Sequence, residues 1–80
     1  MNSRLGRFEL SEKLVRDYPK ETKIIMSHCL VLSCKFNYAN KVFEYEACCD
    51  LFDELPIGQM LPDYQFSVDE KGKVRVAKND

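Results

Sequence analysis

Eighty residues, 45% apolar and 31% charged, fit one globular domain spanning 1–80 and exclude both a second core and a disordered chain. The formal net charge of −1 conceals an asymmetry: between Lys41 and Lys71 there is no basic residue, while Glu44, Glu46, Asp50, Asp53, Glu54, Asp63, Asp69 and Glu70 all fall there. Such a one-signed segment selects cationic partners and repels polyanions.

No apolar run approaches the roughly 20 residues that cross a bilayer. The opening Met-Asn-Ser-Arg-Leu-Gly-Arg-Phe-Glu lacks the apolar segment of a signal peptide. The expectation is therefore a cytosolic protein whose four cysteines are reduced thiols.

In chain order, the first element is a short helix. Ser11 is placed to cap it, Glu12 and Lys13 open it, and Leu10 and Val15 form a hydrophobic staple across the cap. Leu14, Val15 and Tyr18 give it one apolar stripe, and Pro19 ends it by biasing Tyr18 out of helical geometry. Gly6 weakens any helix extended toward the N-terminus, so no element is assigned there.

From residue 24 to 38 the even positions read Ile, Met, His, Leu, Leu, Cys, Phe and Tyr, and from 42 to 49 the apolar set moves to the odd positions. Period-two alternation predicts two strands. A hairpin turning at Ala39 and Asn40 pairs Phe36 with Phe43, Cys34 with Tyr45, Leu32 with Ala47 and Leu30 with Cys49, and sets Lys35 across from Glu44. The first strand is too long for its partner, because 15 extended residues reach about 50 Å at roughly 3.3 Å each. Either a bulge bends it, or residues 24–29 pair with another strand of this chain or of a second copy. Pairing with a second copy would make the protein a homodimer.

Between this hairpin and the next, Asp50 is placed to cap a single turn over 51–55. Pro56 and Gly58 break it, and Pro62 keeps the approach to the following strand extended. Tyr64, Phe66 and Val68 alternate, Glu70-Lys71-Gly72 make a three-residue turn with glycine in the left-handed position, and Val74 and Val76 alternate in return. Val68 then faces Val74, Phe66 faces Val76, and Asp69 lies across from Lys73, with Lys73 and Arg75 on the outer face. The whole reads as an α+β domain: an antiparallel sheet of about four strands in two hairpins, with one short N-terminal helix.

Four readings are weighed and set below a fifth. His28, Cys29, Cys34, Cys48 and Cys49 lack zinc-knuckle spacing and do not converge in the hairpin, so no metal or cofactor is expected. His28 and Cys49 lie one diagonal apart, which is loose for a nucleophilic pair, and acidic neighbours do not activate a thiol. Glu44, Glu46, Asp53 and Glu54 read as solvated acids, since acid–base tuning requires burial. Nucleic-acid binding through Arg4, Arg7 and Arg16 is opposed by the interleaved Glu9, Glu12 and Asp17.

The fifth is contact with another protein. Leu51, Phe52, Leu55, Ile57, Met60 and Leu61 lie among prolines and acids, the composition of a binding surface, although the same side chains can instead close one end of the core. The candidate partner-binding residues are Glu46, Asp50, Phe52, Asp53, Glu54, Ile57, Met60 and Asp63.

The segment from Phe43-Glu-Tyr-Glu-Ala to Phe52-Asp-Glu-Leu-Pro-Ile-Gly-Gln-Met-Leu-Pro-Asp-Tyr64 resembles small phage- or prophage-encoded proteins of unknown function. Phe52, Asp53, Leu55, Pro56, Gly58, Leu61, Pro62 and Tyr64 fill the shared pattern, which covers about a quarter of the chain. The resemblance implies phage origin and carries over no catalytic residue. The expectation is a non-enzymatic protein-binding module, adaptor or inhibitor-like. The alternatives are a small enzyme or zinc protein centred on His28 and Cys49, and a nucleic-acid binder.

Overall fold

The computed structural model describes residues 4–79. Its element order is β1 (Leu5–Ser11), α1 (Glu12–Asp17), α2 (Pro19–Ser27), β2 (Cys29–Asn37), β3 (Val42–Cys49), β4 (Asp63–Val68) and β5 (Val74–Asn79). The strands form one mixed sheet in the order β2-β3-β1-β4-β5. The α+β class and the two hairpins agree with the sequence, but the described residues form five strands where about four were expected, and two helices instead of one. One strand pairing is parallel: β1 runs antiparallel to β3 and parallel to β4.

The unassigned N-terminal residues are the centre of the sheet. Gly6, Phe8 and Leu10 are buried while Arg7, Glu9 and Ser11 are exposed, the alternation of a strand with one covered face. Glycine at position 6 hides that alternation in the sequence, and packing explains why it is there. A Cβ on Gly6 would lie 2.6 Å from the Tyr64 ring and 3.0 Å from the Phe52 ring. Only a bare backbone lets this stacked pair (ring centroids 4.0 Å apart, planes 5° apart) lie against β1.

Helix α1 begins as expected, with the Ser11 hydroxyl accepting from the Leu14 N–H at 3.0 Å, and it stops at Tyr18. Pro19, expected only to end it, also opens α2 at a position where a missing N–H is harmless. Residues 24–27, expected as strand, are therefore the last turn of α2. Four residues of alternation are too few to exclude a helix, and Ile25, at an odd position outside the alternating even set, is the buried member at 1% exposure. A straight strand of about 50 Å would also overrun the molecule, whose longest dimension is 37 Å.

The β2–β3 register holds from Asn37 to Ser33, with Phe36 opposite Phe43, Cys34 opposite Tyr45 and Lys35 opposite Glu44. It then slips: Val31 and not Leu32 faces Ala47, and Cys29 and not Leu30 faces Cys49. The cause lies at the two ends of the strand. The turn fixes Phe36 toward the helices, while the exit from α2 fixes Cys29 inward, its thiol donating to the Ile25 carbonyl at 3.5 Å. One inward position is even and the other odd, so an extra residue, Leu32, is bulged out to reconcile them. The β4–β5 register is as expected, Val68 against Val74 and Phe66 against Val76. Its turn is set by Gly72 at φ 80° and by the Asp69 carboxylate, which accepts from the N–H groups of Lys71 and Lys73 at 2.9 and 2.8 Å.

The core is Phe8, Leu10, Ile25, Ala47, Cys49, Phe52 and Tyr64, under the two helices on one face of the sheet. Among the described residues no helix is long and apolar enough to cross a membrane.

Candidate protein-binding surface

Residues 50–62 join the two hairpins without regular structure, yet both ends of the segment are tied down. At the first end the Arg4 guanidinium donates to the Phe52 carbonyl at 2.6 Å, and the Asp53 N–H donates to the Tyr64 hydroxyl at 3.1 Å. At the second, the Arg7 N–H donates to the Pro62 carbonyl at 2.9 Å, and its guanidinium to the Leu61 carbonyl at 3.2 Å. Arg7 also pairs with Asp63 at 3.3 Å. The connection is thus a stapled base carrying a free tip.

The tip is a four-residue turn. The Gln59 N–H donates to the Pro56 carbonyl at 3.3 Å, and Gly58 supplies the positive φ of 87° that a type II turn needs at its third position. Ile57 is 104% exposed and Met60 85%. Asp53 and Glu54 are exposed just before the turn, and neither carries an ion pair among the described residues.

The candidate residues therefore separate. Asp53, Glu54, Ile57 and Met60 share the tip segment, and Asp63 lies at its base against Arg7. Phe52 is withdrawn from the surface: it is 1% exposed, stacks on Tyr64 and meets Phe8 edge-on at 6.3 Å. An aromatic ring beside acids and prolines looks the same in sequence whether it points in or out. Asp50 does not cap a turn over 51–55. Its carboxylate instead meets His28 Nδ1 at 3.1 Å. Glu46 lies on the uncovered face of the sheet, apart from the tip.

That uncovered face holds an open trough of about 820 Å³. Arg7, Glu9, Lys35, Glu44, Glu46 and Asp63 supply its charges. Glu9 and Glu44 are directly opposite across β1 and β3, a like-charge pairing that destabilises a sheet. Lys35 at 3.7 Å and the Asn37 side-chain amide at 3.3 Å offset it from the other flank of Glu44.

The thiols are arranged for packing. Burial first, then the neighbouring Cys49, pushes the Cys29 thiol up to about 12, and burial raises Cys49 as well. Both are protonated at neutral pH and so poor nucleophiles. His28 is engaged with Asp50 and not with Cys49. Among the described residues no three His, Cys, Asp or Glu side chains converge to hold a metal ion. The arginines of the basic alternative are engaged within the chain: Arg4 and Arg7 staple the connection, and Arg16 pairs with Asp17 at 3.1 Å.

The register slip turns Leu30 and Leu32 away from Cys49 and Ala47, the partners expected for them, and exposes both. Leu30 is 68% exposed and Leu32 61%, on the free side of β2. The conflict between Cys29 and Phe36 was the available signal, had the end of α2 been recognised. No family model, curated protein or solved structure matches the chain.

Proposed function

We propose that this chain is a small, non-enzymatic protein-binding module whose contact site is the tip of the connection between its hairpins. The observation that supports it is the near-complete exposure of Ile57 and Met60 on a turn whose base is fixed by four hydrogen bonds, from Arg4, Arg7 and Asp53. Ordering the base in advance lowers the entropy lost on binding, and a methionine beside a branched aliphatic side chain makes an adaptable apolar anchor. Asp53 and Glu54 place negative charge next to that anchor. The partner that fits is a protein with an apolar socket rimmed by Lys or Arg, drawn in by charge and held by the socket.

The four unbridged cysteines suit a reducing compartment, which favours the cytoplasm. The resemblance across 43–64 supports a phage or prophage origin, and with it an adaptor or inhibitor-like role. Affinity capture from the native host tests the site. Ile57→Asp with Met60→Asp should abolish capture of the partner, each anchor contributing about 2 kcal/mol or roughly 30-fold in affinity. The circular dichroism spectrum and thermal midpoint should not move, because both side chains lie outside the core. A partner retained undiminished by this folded double variant would refute the reading.

A further inference from the structure

The two edges of the sheet are finished differently. The β5 edge carries Arg75 and Lys78, with Lys73 just before it, all exposed, which is a common protection against edge-to-edge pairing. The β2 edge runs Cys-Leu-Val-Leu-Ser-Cys-Lys-Phe-Asn over nine residues, about 30 Å at roughly 3.3 Å each. It has one charge, Lys35, and no proline or glycine. Leu30, Val31 and Leu32 stand 68%, 37% and 61% exposed in succession along it.

We propose that β2 pairs antiparallel with β2 of a second copy of this chain, about a two-fold axis between Leu32 and Ser33, and joins two five-stranded sheets into one. The bulge is what makes the strand self-complementary. Its pairing with β3 turns Cys29, Val31, Cys34 and Phe36 toward the helices, and Leu30, Ser33 and Lys35 toward the open face. The extra residue Leu32 continues the alternation from Val31 and so joins Ser33 on the open side.

Reflection between Leu32 and Ser33 sets Cys29 against Phe36, Leu30 against Lys35, Val31 against Cys34 and Leu32 against Ser33. Every pair then shares a face, as antiparallel strands require. An axis through Ser33 would set Val31 against Lys35, on opposite faces. Each copy brings the same extra residue, so the strands match one for one despite the bulge. The two lysines stand five positions apart, about 17 Å, beyond the roughly 8 Å screening length of physiological salt. Each aliphatic stem covers a leucine of the other copy. The pairing sets the three exposed aliphatic side chains beside side chains of the second copy and satisfies the backbone groups that the edge leaves unpaired among the described residues.

This interface is separate from the tip, and its test is the solution mass. In sedimentation equilibrium the wild-type chain should move from 9.4 kDa toward twice that value as concentration rises. Leu32→Lys should stay at the single-chain mass throughout with an unchanged circular dichroism spectrum, while Ile57→Asp with Met60→Asp should dimerise like wild type. Val31→Cys tests the register by placing a thiol opposite Cys34 of the second copy. Glutathione disulfide should link the two thiols by taking up their two electrons and two protons as two glutathione molecules. The link should vanish when Cys34→Ser is added. A wild-type chain that remains single at every concentration, or a dimer that Leu32→Lys leaves intact, would overturn the proposal. A dimer in which Val31→Cys does not cross-link would overturn this register.

Discussion

The two hairpins flank the same central strand, yet they solve the problem of a strand pair differently. In β4–β5 every inward residue keeps the parity set by the turn, and the turn is locked by Gly72 and the Asp69 carboxylate. In β2–β3 the loop holds Lys41 at a positive φ of 57°, and the far end of the strand is dictated by a helix. A strand governed from one end repeats its pattern faithfully. A strand governed from both ends must absorb any mismatch, and here it does so by exposing leucines. The hairpin under two constraints is the one that acquires a new surface.

The hardest test removes what joins the two hairpins. Phe52 touches Phe8 of β1, Tyr64 and Phe66 of β4, and so holds both halves to one core. Phe52→Ala should lower the stability measured by urea denaturation by about 3–5 kcal/mol, enough to unfold much of a domain this small. A loss under about 1 kcal/mol would mean that the hairpins are held together elsewhere.

A sharper and smaller contrast lies in the loops. Gly72→Val forces a β-branched residue to φ 80° and should destabilise by about 1–2 kcal/mol. Lys41→Gly relieves the same strain at φ 57° and should leave stability unchanged or raise it by less than about 1 kcal/mol. Equal responses in thermal melts would remove the distinction between the two turns.

The smallest effects come from titration, and they have opposite signs at the two ends of the pH scale. The backbone N–H of Lys73 holds the Asp69 carboxyl below its ordinary value. A depressed folded-state value means that its contribution is complete above about pH 4 and is lost as pH falls through the lowered value. Asp69→Asn should flatten that part of the acid limb. Cys29 is raised, so its contribution is complete below about pH 8.5 and declines as pH rises toward about 12. Cys29→Ser should flatten the alkaline limb. A thiol reagent at pH 8 should modify exposed Cys34 well before Cys29 or Cys49 in the native protein. Reaction of all three at one rate would contradict the packing role given to the inner pair.

Legibility in the sequence followed these same constraints. Phe66, Val68, Val74 and Val76 could be paired correctly because turn chemistry and alternation are both local. Ser11 and Pro19 marked helix ends for equally local reasons. β1 was not legible, because the reason for Gly6 is a ring contributed by Tyr64 from the far end of the chain. Its parallel pairing with β4 leaves no turn signal at all. The tip was half legible: exposed Ile57 and Met60 share the composition of buried Phe52, and only the hydrogen bonds from Arg4 and Arg7 separate them.

The central position of β1 also has a consequence in time. The first of the described strands takes its partners from well along the chain: Arg7 waits for Leu61, 54 residues further on. Each hairpin can close within microseconds, whereas seating β1 between them requires closing two long loops before any of its backbone bonds is rewarded. Until then both flanking strands, β3 and β4, present open edges. Topology therefore predicts that inserting residues 5–11 is the slow step of folding, measurable as a slower refolding rate when Phe8 is truncated to Ala, and that the interval before it is when the chain is most exposed to mispairing.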